Sequence, residues 1–521
     1  MRTTQASPTR VILFLCLTAV VLAILPGCAE PLSEEQRLAD LDYLIDIFSE
    51  NHPFVSLKSR VEGYDWRAHR DEFRAWVRDC HSDREYAAAM DRIVRLVNNM
   101  HTTLRGRSTL EVWSQEDLRN IDWIEPWLRI MDGIDLGRAE YWARLASRRQ
   151  FGSLMAIYSA GQYVIAERVT GTSGRSLPIG SRVIKVDGVD IDEFVRSHRG
   201  VEWQPYDPIR EKTYSRVLRL PLGSHSVTAI VPDGSYVTEV FNVRASETPP
   251  SPLIPERRNG PFTLRTRRLL GCVIDGEVGY LAISQMVSDQ SLLETEIRSM
   301  QEFLTSVCNL PALIIDIRGN PGGQDILWNK LVRMLISETV QVKVTVAVRD
   351  GDYVSPFYRS MIDVVGFVPL DEEDITPDLK AEISNGGFRP PVTEFMTIEP
   401  DEASVRYTGK VYLLVDDQVC SSAENFAVFS KASGFATLVG GVTGGDGFGF
   451  NLCYAVLPNS KMVVSFPLSM GLNPDGTINE EAHTRPDYLV EWDSTSIARW
   501  VYNPGRSNDV VLQECLKLAK V

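Results

Sequence analysis

The sequence holds no Cys-x-x-Cys pair, no His-Glu-x-x-His and no Gly-x-Ser-x-Gly. These absences exclude zinc ribbons, helical zinc peptidases and the nucleophile elbow of α/β-hydrolases. Its 7 histidines and 8 cysteines are scattered through 521 residues without ligand spacing, so no metal centre is expected. Basic residues are outnumbered, 54 Lys and Arg against 69 Asp and Glu, for a net charge of −15. No electrostatic footprint for phosphate backbones follows, so a nucleic-acid partner is not expected. Internal repeats and low-complexity tracts are missing as well. What is present is 44% hydrophobic and 24% charged, a globular composition. At roughly 100–200 residues per domain, the length suggests about three domains.

Long apolar runs are confined to one place. Arg2 and Arg10 precede the run 11–25, which is too short to span a bilayer as a stable helix, and Leu25-Pro26-Gly27-Cys28 closes it. Residues 1–27 read as a secretory signal, and the closing tetrapeptide resembles a bacterial lipobox, in which the cysteine carries the lipid. Cys28 is then the lipid attachment site, and 28–34 a tether to the membrane of the cell envelope. Removal of the signal takes away two Arg and no acid, which moves the charge from −15 to −17. The cysteines at 80, 272, 308, 420, 453 and 515 show no regular spacing, and scattered thiols are expected there.

From 35 to 159 the pattern is helical. Ser33-x-x-Gln36 has the form of a capping box, followed by Leu38, Leu41, Ile45 and Phe48 on one face. A second helix from about 85 breaks near Asn98-Asn99, immediately before His101. Residues 160–246 switch to short β-runs at 163–169, 182–186, 226–231 and 237–243. The segment Gly180-Ser181-Arg182-Val183-Ile184-Lys185-Val186-Asp187-Gly188 resembles part of a PDZ domain, a module that takes up extended peptide at a sheet edge. A Pro-rich linker, 247–262, leads to a core at 263–521, where apolar strands at 278–283, 312–317, 411–415 and 437–440 alternate with helices, with an irregular region expected after 336. That alternation implies an α/β fold with parallel crossovers.

Two strand ends in that core can carry chemistry. One runs into Arg318-Gly319-Asn320-Pro321-Gly322-Gly323, where glycines allow close backbone approach and point N–H groups outward. The other runs through Asp416-Asp417 to Cys420-Ser421-Ser422-Ala423-Glu424, a loop and helix start. A serine there is either an N-cap or a nucleophile whose oxyanion meets free helix N–H groups. The Gly445-x-Gly447-x-Gly449 run leads into β-type sequence rather than a helix, which argues against a nucleotide loop.

Together, Gly279-Tyr280-Leu281-x-Ile283, Ile314-x-Asp316-x-Arg318-Gly319-Asn320-x-Gly322-Gly323, Ser421-x-Ala423-Glu424-x-Phe426, Gly440-x-x-Thr443-x-Gly445 and Glu480-x-x-x-x-x-Pro486-Asp487 resemble the serine peptidase family of C-terminal processing proteases and the tricorn core protease. The likeness covers about 85–490 and implies a ClpP/crotonase-like, parallel-rich core behind a helical segment and a PDZ-like module. It implies a serine peptidase acting on peptide or unfolded polypeptide, with no metal or organic cofactor. By position in the motifs, Ser421 is the nucleophile. The processing branch uses a Lys where this chain has Asp446, so no Ser/Lys dyad is available and an Asp cannot replace the amine base. The tricorn-like branch places a His followed by Thr ahead of the PDZ-like module, here His101-Thr102, implying His101 as general base, and an acid seven residues before the Asp of Pro-Asp, here Glu480, with Glu481 as the alternative, implying an acid that holds the imidazole directly or through a bridging group. Asn99-Met100 departs from that branch's pattern before the His. The resemblance also implies an oxyanion hole from Ser422 N–H with Gly322 or Gly323 N–H. The alternative reading is an inactive binding lipoprotein that keeps the fold to hold peptide or apolar ligand.

Overall fold

The computed structural model describes residues 31–111, 124–146, 151–245, 262–286, 290–371, 373, 375–449 and 452–520. The signal segment, Cys28 and nearly all of the expected linker lie outside the described residues. The fold is mixed α/β, with several sheets and flanking helices.

The sheet that positions the chemistry has seven strands in the order Leu264–Arg265, Leu269–Ile274, Val278–Ile283, Ala312–Asp316, Lys410–Val415, Thr437–Gly440 and Tyr488–Leu489. From Val278–Ile283 onward the pairings are parallel. The two central strands Val278–Ile283 and Ala312–Asp316 are buried at every position. One face is covered by the helices Gln290–Val307, Ile326–Leu335 and Ser422–Ser433, which bring Leu304, Trp328, Leu331, Phe426 and Phe429 into the core. The other face is covered by Val510–Ala519 through Val511, Leu512 and Cys515. Both faces are therefore dry, and the loops at the carboxyl ends of the strands converge.

Two expectations are corrected. Phe151–Ser159, expected to continue the helical region, is a strand paired with Gln162–Ile165 and Val217–Pro221. Its buried residues alternate, Gly152, Leu154 and Ala156 inward, which is a period of two, and Trp and Arg richness upstream hid the change. It belongs to an antiparallel sheet whose other strands are Arg182–Val186, Val189–Asp190, Gly223–Ile230 and Tyr236–Val243, around a core of their own. The stretch after 336 is not irregular. Val340–Val348 alternates valines with polar residues and pairs with Val392–Ile398 and Ser469–Leu472.

The N-terminal helices do not close their own core. Glu34–Asn51 begins in the expected capping box and, with Asp83–Arg95, packs against the antiparallel pair Leu452–Val456 and Val463–Pro467. Thr103–Leu104 adds to that pair as a third strand. Trp127 and Trp142 each donate their indole N–H to its backbone, at Leu452 and Ser460, over 2.7 Å. The six described cysteines are free thiols, five of them buried, and no described helix is long and apolar enough to cross a membrane.

Candidate active site

Ser421 stands between the strand Lys410–Val415 and the helix Ser422–Ser433, with φ 57° and ψ −127°. A non-glycine residue in this region costs roughly 1–3 kcal/mol, so the surrounding turn must enforce it. Asp416 does so by accepting the N–H groups of Gly319 at 2.9 Å and Gln418 at 3.1 Å, which ties the serine turn to the glycine turn. Burial and the neighbouring Asp417 charge push the Asp416 carboxyl up to about 6, against the pull of the Gly319 N–H and Arg318. Ser421 occupies the N-cap position, yet its hydroxyl makes no capping bond. Its partner is His101 Nε2, at 3.1 Å.

The glycine turn is braced by side chains. Arg318 is buried and bonds both Asp316 and Asp509, with four contacts between 2.8 and 3.0 Å. Asn320 donates to Ile283 O at 3.0 Å and accepts the Gly322 N–H at 2.9 Å. That second bond corrects one expectation, because an N–H spent on Asn320 is not available to an oxyanion. Gly322 serves by being small: at φ +96°, a Cβ there would lie 2.8 Å from Ser421 Cβ and 2.9 Å from Ser422 N. Gly323, at φ +143°, has Met286 O 2.2 Å from where its Cβ would be. Among the described residues, the N–H groups of Gly323 and Ser422 have no hydrogen-bond partner.

His101 follows the turn after Asp83–Arg95 and is fixed at both peptide ends. Its N–H donates to Asn99 Oδ1 at 3.0 Å, and its carbonyl accepts from Ser465 Oγ at 2.6 Å. The strand pairing of Thr103–Leu104 with Val463–Pro467 thus carries the imidazole across the molecule to Ser421. On its other side, His101 Nδ1 lies 2.6 Å from Asp446 Oδ2. An ionised carboxylate only accepts, so Nδ1 holds the proton and Nε2 presents its lone pair to the serine hydroxyl.

The carboxylate at Nδ1 is therefore Asp446, not Glu480, a correction to the sequence reading. Asp446 is almost fully buried at φ 60°, in a loop held by Gly447 N–H on Asn479 Oδ1 at 2.8 Å and Phe448 N–H on Asn425 Oδ1 at 2.6 Å. Burial works to raise its pKa, but the charge and hydrogen bond of His101, the Asn99 amide and Lys58 hold it below the ordinary aspartate value. Glu480 is bonded instead to Lys58, 2.7 Å away, and Lys58 also meets Glu62 at 3.1 Å. Burial pushes Glu480 up to about 8, the Lys58 charge opposing and the Asp446 charge adding to it. Burial disfavours the Lys58 ammonium, yet Glu480 and Glu62 hold it above the usual lysine range. The alternative acid, Glu481, pairs with Arg60 at 2.6 Å and does not reach the imidazole. Sequence reasoning noted Asp446 only as the place of a missing lysine. The available signal was a single charge in Gly444-Gly445-Asp446-Gly447, flanked by residues that let a backbone bury it.

Hydroxyl, imidazole and carboxylate in a row, beside two free N–H groups, form an arrangement suited to acyl transfer. Among the described residues no cluster of His, Cys, Asp and Glu has the form of a metal site.

Residues 277–490 match the model of peptidase family S41. Solved structures similar to the chain include mature CPAF complexed with lactacystin, at 16% identity and TM-score 0.55 over 94% of this chain and 99% of that one. Mature CPAF is similar at 15% identity and TM-score 0.56, over 94% and 98%. At such identities the likeness concerns the fold. No curated protein sequence matches the chain. Fold and family define a serine-type peptidase. Over residues 277–490 the chain is thus similar to peptidase family S41.

Proposed function

We propose that the protein hydrolyses peptide bonds through Ser421, with His101 as general base and Asp446 as the carboxylate that orients it. The observation that carries this reading is the row of contacts from Ser421 Oγ to His101 Nε2, 3.1 Å, and from His101 Nδ1 to Asp446, 2.6 Å. In acylation, Nε2 takes the hydroxyl proton as Oγ attacks the scissile carbonyl, and the oxyanion accepts from the N–H groups of Gly323 and Ser422. Asp446 stabilises the imidazolium, which then protonates the leaving amine. Water attacks the acyl-enzyme by the reverse proton route and frees Ser421. This Ser/His/carboxylate chemistry resembles the tricorn-like branch, with the acid supplied from a different position.

The antiparallel sheet module at 151–243 is, in this reading, PDZ-like and offers a sheet edge to extended peptide. Cys28 anchors the chain by lipid to the cell envelope, and the substrate is peptide or unfolded polypeptide. An activated fluorophosphonate is expected to label the folded protein, to lose all labelling in Ser421→Ala, and to label His101→Ala at least about 10³-fold more slowly. Labelling that survives Ser421→Ala, or a wild-type protein that does not label, would overturn the reading.

A further inference from the structure

Behind the imidazole and Asp446 lies a second, fully buried histidine. His52 sits among the rings of Phe48, Phe54 and Phe466, with centroids 5.1, 6.0 and 5.8 Å away. Its Nδ1 accepts the Phe54 N–H at 3.1 Å, and its Nε2 lies 2.8 Å from Thr102 Oγ1. Thr102 Oγ1 is 3.0 Å from Asn99 Oδ1, and Asn99 Nδ2 is 2.8 Å from Asp446 Oδ2.

We propose that His52, Thr102 and Asn99 are positioning residues, a chain of hydrogen bonds of fixed direction that keeps an amide donor on Asp446 and an acceptor on the His101 backbone. The proposal rests on the reading of Ser421, His101 and Asp446 as the reacting groups.

The direction follows link by link. A ring nitrogen that accepts an N–H carries no proton, so the His52 proton is on Nε2 and is donated to Thr102. Thr102, having accepted, donates its own proton to Asn99 Oδ1, which also takes the His101 N–H. Two donors on Oδ1 fix the orientation of the amide, and Nδ2 is left to face Asp446. The opposite His52 tautomer would set two N–H groups against each other at Phe54 and draw the Thr102 proton away from Asn99. Burial keeps His52 neutral by pushing it down to about 3, with Asp446 opposing and Arg349 and Lys58 reinforcing. The charged groups that bear on Asp446 are His101, Lys58 and Glu480. The Asn99 amide also lowers Glu480, so both Asn99 and Asp446 stand between that carboxylate and the imidazole.

Loss of the amide donor would make Asp446 more basic and strengthen its pull on the Nδ1–H. Thr102→Val, which keeps the shape and removes the hydroxyl, is expected to slow fluorophosphonate labelling about tenfold and to move the acid limb of its pH profile upward. Thr102→Ser should restore the rate to within about twofold. In histidine-¹⁵N-labelled protein, His52 should show the Nε2–H tautomer without titrating between about pH 5 and 8. The proposal is overturned if Thr102→Val keeps the wild-type rate and profile, if Thr102→Ser is as slow as Thr102→Val, or if His52 titrates or carries its proton on Nδ1. A wild-type protein that fails to label would sink the peptidase reading, while the His52 spectrum would still decide the direction of the chain.

Discussion

The two halves of the site are held by different means. On the serine side the frame is main chain, with Asp416, Arg318 and Asn320 bracing its turns: parallel strands end together, Ser421 is held at a positive φ, and Gly322 and Gly323 fill positions that no side chain could occupy. On the histidine side one short strand, Thr103–Leu104, brings the chain across, and side chains do the final placing, with Asn99 and Ser465 gripping the His101 peptide and Asp446 its ring. A backbone frame is rigid and fails by unfolding or displacement, whereas a side-chain frame can lose one member and remain folded. Changes on the histidine side should therefore cost rate with little stability.

The strongest way to break this contrast is Asp446→Asn, which presents an amide to Nδ1 and favours the wrong tautomer. It is expected to slow labelling about 10⁴-fold while leaving the urea midpoint nearly unchanged. Glu480→Gln should slow it by less than about tenfold. If the two variants exchange these outcomes, the acid is Glu480 and the assignment to Asp446 is wrong.

A smaller effect is expected on the serine side. Gly322→Ala pushes a methyl against Ser421 Cβ and Ser422 N and should cost about 10²-fold in labelling, together with a loss of stability. A variant that labels normally would show that the turn yields more easily than the positive φ implies.

The smallest test uses two buried histidines. His52 is pushed down to about 3 and His483, whose Nδ1–H donates to Thr443 O at 2.7 Å, to about 4, both by burial. Unfolded, each binds its proton near pH 6.5, so their stabilisation is complete above that value and lost as pH falls towards 4. The slope is about 1.4 kcal/mol per pH unit for each. Glu480 and Asp416, whose carboxyls are raised, act in the opposite sense, so the comparison is between variant and wild type. Urea midpoints between pH 6.5 and 4.5 should fall less steeply in His52→Gln and in His483→Gln, and an unchanged slope would mean that these rings are protonated in the fold.

The parallel strands were legible in the sequence from their unbroken apolar runs, whereas the serine turn and His101, each an ordinary cap or helix end when taken alone, stood out only through the resemblance to the peptidase family. Asp446 was not, since its role depends on where a glycine loop carries it in space. Motif spacing located the segment of Glu480 but not Asn99 and Asp446, which separate its carboxylate from the ring. Phe151–Ser159 and Val340–Val348 carried a period-two pattern that the surrounding composition obscured.

The pairing of Thr103–Leu104 with Val463–Pro467 also sets when such an enzyme can first act. Residues near 460 arrive late in synthesis, yet Asp40 in the first helix accepts the Ser460 N–H at 2.7 Å, and Phe48, Tyr86 and Trp142 share a core with Phe466. Until that late hairpin docks, the early helices lack the strands they pack on and His101 has no strand to hold it beside Ser421, 320 residues away. A chain without its last third therefore lacks the strand that holds His101 beside Ser421, so the site exists only where the two ends of the polypeptide meet.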